Sequence, residues 1–171
     1  MMNDDINYEK WKVSRLVPLH KKGGTHDLNN WRGVNLLDVC SKVVSIILNV
    51  RAQKLLESNG HPMQFGATPK VGCSEATFSL KILLQNRKEM GHGTHAVFID
   101  LAKAHDSVQH DVIMLTLRKM GASEEHIKWV KKLCCDFEVA LKIGWEDARI
   151  KYGCGVRQGD NLALTLFTIV M

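Results

Sequence analysis

The sequence lacks the features of a membrane-spanning or secreted chain. Its longest nearly unbroken apolar stretch, residues 162–171, is far shorter than the roughly 18–20 residues that cross a bilayer. The N-terminal segment MMNDDINYEK carries acidic residues where a signal peptide has positive charge followed by an apolar core. We therefore predict a soluble, intracellular protein with no membrane partner. The sequence does not separate nucleus from cytoplasm and indicates no oligomeric state.

The cysteine patterns of a disulfide framework or a zinc site are also missing. The five cysteines are odd in number and none has Cys-x-x-Cys spacing to another. They are Cys40, Cys73, Cys134, Cys135 and Cys154. The eight histidines form no His-Glu-x-x-His arrangement. These patterns predict buried, reduced thiols and indicate no histidine-ligated metal.

The composition is that of a globular domain with an uneven charge. With 45% apolar and 24% charged residues over 171 positions, a disordered or collagen-like chain is excluded and one domain is expected. Residues 1–90 hold 13 basic and 8 acidic side chains, whereas residues 91–171 hold 10 of each. A basic half joined to a neutral half is typical of a protein that binds a polyanion through one lobe. The alternative is that the excess basic residues only form a solvated surface.

Local patterns predict a mixed set of helices and strands. The segment VSRLVPLH at 13–20 reads as an edge strand because of Pro18. The apolar run at 96–99 predicts a strand that is buried on both faces. The alternating segments around Gly144–Asp147 predict a β-hairpin. Helical spacing covers residues 41–60 (Ser41 as N-cap and Gly60 as stop), 73–90, 107–121, 123–136 with Ser123 as cap, and 162–171.

The last of these helices is apolar on every face and has no C-cap. An apolar helix with nothing to pack on would expose a large apolar patch. We therefore expect that the chain stops inside a domain.

Asp100 is the strongest local signal for chemistry. It follows the apolar run 96–99, and an acidic side chain at the end of a buried strand requires a cation or hydrogen-bond donors. Mg²⁺ prefers carboxylate oxygens together with water and phosphate, whereas the alternative is a carboxylate that caps the next turn. Asp106 stands directly before a predicted helix, so we interpret it as a structural N-cap rather than a metal ligand.

Two loops carry groups that suit phosphate contact. In GVRQGDN (155–161), two glycines bracket Arg157 and Gln158 before a helix. In the loop that follows residue 20, Lys21, Lys22 and Arg32 come together with a tryptophan. A solvated basic loop is the alternative for the second pattern.

Four sequence motifs that follow one another in a fixed order are a more specific signal of family than any one of them. They are NNWRGVNLLDVCSKVVSIILNVR, QFGATPKVGCSEA, FIDLAKAHDSV and GVRQGDNLALTLF. In this order and spacing the chain resembles the reverse transcriptases of non-LTR (LINE-like) retrotransposons from about Trp11 to Met171. The resemblance implies an α+β fold, namely the fingers (about 10–92) and an incomplete palm (93–171) of a right-hand polymerase. An unrelated α/β domain with coincident motifs is the alternative.

The resemblance also implies the roles of individual residues. Asp100 would be the first catalytic carboxylate and would bind both Mg²⁺ ions, with the Leu101 carbonyl as a further ligand. The nucleotide-binding residues would be Lys21, Lys22, Arg32, His105, Gln158 and Gly159, and those that bind template and primer would be Gln64, Lys70 and Arg157. The implied partners are an RNA template, a DNA primer and deoxyribonucleoside triphosphates.

Two departures of the sequence from the family pattern bear on its chemistry. His105 stands where the family has Phe or Tyr, the side chain that blocks a ribose 2′-OH, and this puts deoxyribonucleotide selectivity in doubt. The aromatic-Ala-Asp-Asp motif, which supplies the other catalytic carboxylates, is not found in residues 1–171. We therefore expect RNA-directed DNA synthesis in the full-length form and an inactive chain here. The alternative function is a non-catalytic, nucleic-acid-binding remnant.

Overall fold

The structure contains a four-stranded β-sheet. The computed structural model describes residues 9–135 and 137–171. The strands β1 (Val13–His20), β2 (Trp31–Leu36), β3 (Glu138–Ile143) and β4 (Glu146–Lys151) are arranged in the order β2-β1-β3-β4. β1 pairs antiparallel with β2, β3 pairs antiparallel with β4, and a short parallel ladder joins β1 to β3. The sheet thus brings together two hairpins that are far apart in the sequence.

β1 has the predicted bounds but is not an edge strand. Its first three residues pair with residues 138–140 of β3, while Arg15 onward pairs with β2. Pro18, which lacks an N–H donor, lies beyond the parallel ladder, where β1 has a neighbour on one side only. The predicted hairpin is confirmed, with Gly144 in the left-handed region (φ +64°) between β3 and β4. Strand β2 was not predicted from the sequence.

Seven α-helices are present in the described residues. They are α1 (Glu9–Lys12), α2 (Val39–Asn59), α3 (Cys73–Glu89), α4 (Ala104–Ser107), α5 (His110–Lys119), α6 (Glu124–Cys134) and α7 (Asn161–Val170). α2, α5, α6 and α7 pack together and enclose the hydrophobic core, with Leu48, Leu117, Leu133 and Leu166 among its fully buried side chains. α3 contributes no buried residue. Among the described helices, none has the length and apolar character that crossing a lipid bilayer requires.

Helix caps confirm some predictions and correct others. Ser123 caps α6 as predicted, accepting a hydrogen bond from the backbone N–H of His126. The prediction that Ser41 caps α2 is wrong, because Asp38 accepts the N–H groups of Cys40 and Ser41 and the helix begins earlier. Gly60 ends α2 as predicted. Asp136, the last residue of the predicted sixth helix, lies outside the described residues.

The last helix, α7, packs within the helical layer, and the expectation that the chain stops inside a domain stays a prediction. α7 lies against α2 and α5, and residues such as Leu162, Leu166 and Ile169 are buried there. Asp160 caps its N-terminus through a hydrogen bond from the Leu162 N–H. Apolar residues around most of this helix therefore reflect its central place in the helical layer.

The predicted buried strand at 96–99 is also wrong. These residues form no strand, and Val97, Phe98 and Ile99 are 84%, 84% and 83% exposed. A strand requires a neighbour for its backbone groups and cover for its apolar faces, and no described strand lies beside this segment. Apolar composition alone does not supply either.

The prediction of buried thiols holds for two of the five cysteines and is wrong for the other three. Cys134 and Cys135 are buried, whereas Cys40, Cys73 and Cys154 are exposed. Burial raises the pKa of the Cys134 thiol to about 12, so this thiol stays protonated and inert.

Candidate active site

One cavity gathers most of the predicted site residues. It has a volume of about 490 Å³ and lies between the β1–β2 hairpin, the segment that follows residue 99, and the loop before α7. The predicted site residues that line it are Lys21, Arg32, Asp100, Leu101, His105 and Gln158. Asp106, predicted as a cap, lines it as well. Three distant parts of the chain therefore contribute to one concave surface.

A hydrogen-bonded chain of three side chains crosses this cavity. The Arg32 Nε–H donates to the Gln158 Oε1 at 3.0 Å, and the Gln158 Nε2 donates to the Asp106 Oδ1 at 3.0 Å. Gln158 thus joins a cation to a carboxylate through the two ends of one amide. The sequence reasoning placed Arg32 and Gln158 at the site but missed the link to Asp106.

Asp106 is not the N-cap that the sequence predicts. It lies within α4, and the residue at the N-cap of the following helix α5 is Gln109. The short helix α4 removes Asp106 from the start of α5 and leaves its carboxylate exposed toward the cavity.

The backbone at Gln158 is fixed against β2. The N–H of Asn35 donates to the carbonyl of Gln158 at 2.8 Å. The next residue, Gly159, has φ +109°, and a Cβ built there would lie 2.7 Å from the Asn35 carbonyl oxygen. Gly159 therefore allows a close approach between two parts of the chain, and it is not among the residues that line the cavity.

Arg157 does not occupy a template-binding position, so this prediction is corrected. Its side chain is fully buried and forms an ion pair with Asp160, Nη2 to Oδ2, at 3.1 Å. Its Nη1 donates to the carbonyl of Trp11, and the Ser45 hydroxyl donates to the same oxygen of Asp160. A guanidinium enclosed in this way contacts protein rather than nucleic acid. The flanking glycines of GVRQGDN suggested an open loop, and the sequence carries no signal for this burial.

Asp100 and Leu101 lie on exposed, non-helical chain at the rim of the cavity. Asp100 makes no hydrogen bond or ion pair within residues 9–135 and 137–171, and its carboxylate is open to solvent. An exposed carboxylate without a protein partner keeps its oxygens available to a cation. The strand predicted at residues 96–99, which would have placed Asp100 at the edge of a sheet, is not present.

His105 lines the cavity beside α7. Its ring stacks on Phe167 of α7, with ring centroids 4.3 Å apart and planes at 21°. The N–H of Val156 donates to the His105 carbonyl at 2.8 Å. These contacts hold the imidazole where the family pattern has a larger aromatic ring.

The remaining predicted residues lie elsewhere. Lys22 is exposed in the β1–β2 loop and does not line the cavity. Gln64 lies in a loop where the Thr68 hydroxyl donates to its carbonyl, and it lines a separate cavity beside α2 and α7. Lys70 is an exposed residue with φ +68° in the same loop. Template contact by Gln64 and Lys70 stays a prediction.

The oxygen donors at the cavity fit one divalent cation only in part. The Asp100 carboxylate and the Leu101 carbonyl are ligands of the type that Mg²⁺ takes together with water and phosphate oxygens. The other carboxylate of the cavity, Asp106, is engaged by Gln158. Within the described residues no group of three or more His, Cys, Asp or Glu side chains could hold a metal ion. A two-ion site is therefore not assembled by these residues.

Comparison with known proteins supports the resemblance drawn from the motifs. Residues 19–171 match the family described as reverse transcriptase (RNA-dependent DNA polymerase). The chain is 29% identical over 160 residues to the transposon TX1 uncharacterized 149 kDa protein of Xenopus laevis, covering 93% of this chain and 12% of that protein. It is 26% identical over 163 residues to a retrovirus-related Pol polyprotein from a type-1 retrotransposable element R2 of Popillia japonica, covering 94% and 23%.

A third relative gives the same result. The retrovirus-related Pol polyprotein from the type-2 retrotransposable element R2DM of Drosophila melanogaster is 26% identical over 161 residues, or 94% of this chain and 15% of that protein. The chain thus spans between about one eighth and one quarter of the length of these relatives. The matched residues 19–171 include every residue that lines the cavity. The chain belongs to the reverse transcriptase family, in the group of the non-LTR (LINE-like) retrotransposon enzymes.

Proposed function

We propose that this chain forms the fingers (about residues 10–92) and part of the palm (93–171) of an RNA-directed DNA polymerase. In the complete enzyme, deoxyribonucleotides are added to a primer 3′-OH on an RNA template. The observation that carries the proposal is the cavity, which Lys21 and Arg32 line together with Asp100 and Gln158. Cations in the same cavity as an exposed carboxylate suit a triphosphate that arrives with a divalent ion.

In this proposal Arg32 and Lys21 bind the phosphates of the incoming nucleotide. Gln158, which lies between Arg32 and Asp106, contacts the sugar or the base pair. His105, stacked on Phe167, borders the ribose. Because imidazole is smaller than a phenyl ring and is polar, we expect weaker discrimination against ribonucleotides than a Phe or Tyr provides.

Asp100 and the Leu101 carbonyl would hold one Mg²⁺ ion, which when bound neutralises phosphate charge. The second ion of a two-metal phosphoryl transfer needs further carboxylates. We therefore propose that residues 1–171 by themselves bind nucleotide but do not extend a primer. Robust incorporation of deoxyribonucleotides on an oligonucleotide-primed RNA template would overturn that part of the proposal.

Nucleotide binding is the direct test. A magnesium-bound deoxyribonucleoside triphosphate is titrated into the chain, and its Kd is measured by calorimetry. We expect Arg32→Ala to raise the Kd about tenfold or more, because a charge-assisted contact is lost. Arg149→Ala, which removes an arginine that is also exposed and lies in β4 outside the cavity, is the matched control. Equal effects of the two substitutions, or no binding by the unaltered chain, would refute the nucleotide site.

A second candidate function is nucleic-acid binding without turnover. It is favoured by the exposed cations of the β1–β2 loop, Lys21 and Lys22, in the basic half of the chain. It predicts salt-dependent binding of RNA or DNA, with a salt slope that falls by about one for each phosphate contact removed. Filter binding at low salt that shows no affinity for either nucleic acid would exclude it.

A further inference from the structure

Asp106 is held in place by the loop that also carries Gln158. The N–H of Val156 donates to the His105 carbonyl at 2.8 Å, and the N–H of Gly155 donates to the Val108 carbonyl at 2.7 Å. Gly155 has φ +89°, and a Cβ at this position would lie 2.9 Å from the Asp106 carbonyl oxygen. These contacts on both sides of Asp106 fix its backbone relative to the 155–160 loop.

The Asp106 carboxylate defines which way the Gln158 amide faces. A carboxylate only accepts hydrogen bonds, so the amide must turn its Nε2 toward Asp106, as observed at 3.0 Å. The amide oxygen then faces the opposite way and accepts the Arg32 Nε–H, also at 3.0 Å. The reversed amide would place its oxygen against the carboxylate and its N–H groups against the guanidinium. Both contacts would then be repulsive.

The amide in turn defines how Arg32 presents its guanidinium. Its Nε–H is occupied by Gln158, while no described residue takes a hydrogen bond from its two terminal nitrogens. The two terminal nitrogens form the edge of the guanidinium that binds two phosphate oxygens at once. An arginine anchored through Nε loses less conformational freedom when a ligand binds than an unanchored one does.

We propose that Asp106 is a positioning residue for the nucleotide site: through Gln158 it orients the Arg32 guanidinium toward the phosphates. This inference rests on the proposed function for the identity of the ligand, but the orientation of Arg32 is a property of the protein alone. It assigns to Asp106 a place in the binding machinery where the sequence predicts only a helix cap.

The first measurement needs no ligand. In the ¹⁵N-labelled chain, exchange of the Arg32 Nε–H with water is compared between the unaltered protein and Asp106→Ala. We expect exchange to become about threefold to tenfold faster, because the amide that accepts this proton is no longer held. Gln158→Ala should have the same effect, and the double variant should be no faster than Gln158→Ala alone. Asp106→Asn keeps an oxygen that accepts from Gln158 and should preserve slow exchange.

The second measurement is the Kd of a magnesium-bound deoxyribonucleoside triphosphate. A positioning role of Asp106 and simple charge repulsion by Asp106 predict changes of this Kd in opposite directions. A carboxylate beside a polyanion repels it, so a purely electrostatic Asp106 predicts tighter binding by Asp106→Ala. The positioning role predicts a Kd about threefold to tenfold higher for Asp106→Ala, and no weakening for Asp106→Asn. Asp147→Ala, which removes an exposed carboxylate outside this cavity, is the charge control.

The two measurements separate the inference from the function on which it builds. Unchanged Arg32 exchange in both Asp106→Ala and Gln158→Ala would overturn the positioning role, even if nucleotide binds. Tighter binding by Asp106→Ala would overturn it as well. Accelerated exchange in a chain that binds no nucleotide would uphold the positioning of Arg32 and refute the nucleotide site. Thermal unfolding of each variant shows whether the fold is retained.

Discussion

Arg157 and Asp160 form an ion pair whose two side chains are 0% and 1% exposed, at an Nη2–Oδ2 distance of 3.1 Å. The pair connects the α1 end of the chain, through the Trp11 carbonyl, to α2, through Ser45. Asp160 also caps α7. The loop that carries Gln158 into the cavity is thus anchored by its two charged neighbours, which are buried beneath it.

Removing Arg157 should destabilise the fold. Arg157→Ala leaves the Asp160 carboxylate buried without its partner, and we expect a loss of about 3–5 kcal/mol in the free energy of unfolding. Urea denaturation followed by circular dichroism measures this loss. Arg149→Ala, an exposed arginine, should change stability little. A folded Arg157→Ala protein with unchanged stability and weakened RNA binding would instead restore the template-binding role that the sequence predicts.

Gly159 should be irreplaceable for a conformational reason. Gly159→Ala places a Cβ in the left-handed region and 2.7 Å from a backbone oxygen that cannot easily move, which we expect to cost about 1–3 kcal/mol in unfolding free energy. Gly93→Ala is the matched control, since no heavy atom lies within 4 Å of its Cβ position and its φ is not positive. Equal midpoints in urea for the two variants would contradict this explanation of Gly159.

Asp100 should contribute to ligand binding and not to stability. Asp100→Asn removes a charge that makes no described contact, so the unfolding free energy should stay within about 0.5 kcal/mol of the unaltered value. The magnesium dependence of nucleotide binding should weaken, because an amide oxygen is a poorer ligand for a hard cation. Titrations at several magnesium concentrations measure this. An Asp100→Asn protein that is strongly destabilised would show that the carboxylate has a structural role.

His126 should make the protein sensitive to acid. Its ring is buried, and neither ring nitrogen has a hydrogen-bond partner among residues 9–135 and 137–171. Burial together with the nearby Arg51 lowers its pKa below the ordinary value of 6.5. The unfolded chain therefore takes up a proton that the folded chain does not, as pH falls below 6.5. The contribution to stability is present above that value and is lost progressively toward the lowered pKa.

The measurement is the free energy of unfolding as a function of pH. His126→Leu should flatten its fall between about pH 7 and pH 5, whereas His92→Gln, at an exposed position, should not. A pH dependence that is the same in the unaltered and the His126→Leu proteins would show that other groups are responsible.

The sequence correctly predicted those structural elements whose stability depends on residues close to one another in the chain. The cap at Ser123, the stop at Gly60 and the hairpin around Gly144 each depend on residues within one or two turns, and each is found. Ser41 failed as a cap because Asp38, three residues earlier, accepts the first free N–H groups of the helix, so Ser41 lies inside it.

Long-range contacts decided the rest of the candidate site. Asp106 and Gln158 are 52 positions apart, and Arg32 and Gln158 are 126 apart, so no spacing rule links them. The same holds for the burial of Arg157, which depends on the carbonyl of Trp11, 146 residues away. An arginine between two glycines has the same sequence pattern whether the fold covers it or exposes it.

The sequence alone determined the family, the order of the motifs and most of the helices, because these follow from residue identity and from spacing over a few turns. Only the tertiary structure decided which polar groups meet: that Arg157 is buried on Asp160, that Asp106 holds Gln158, and that residues 96–99 have no strand beside them. The physical reason is that a buried charge, an amide's orientation and a strand's existence each depend on a partner, and the chain brings that partner from far away in the sequence.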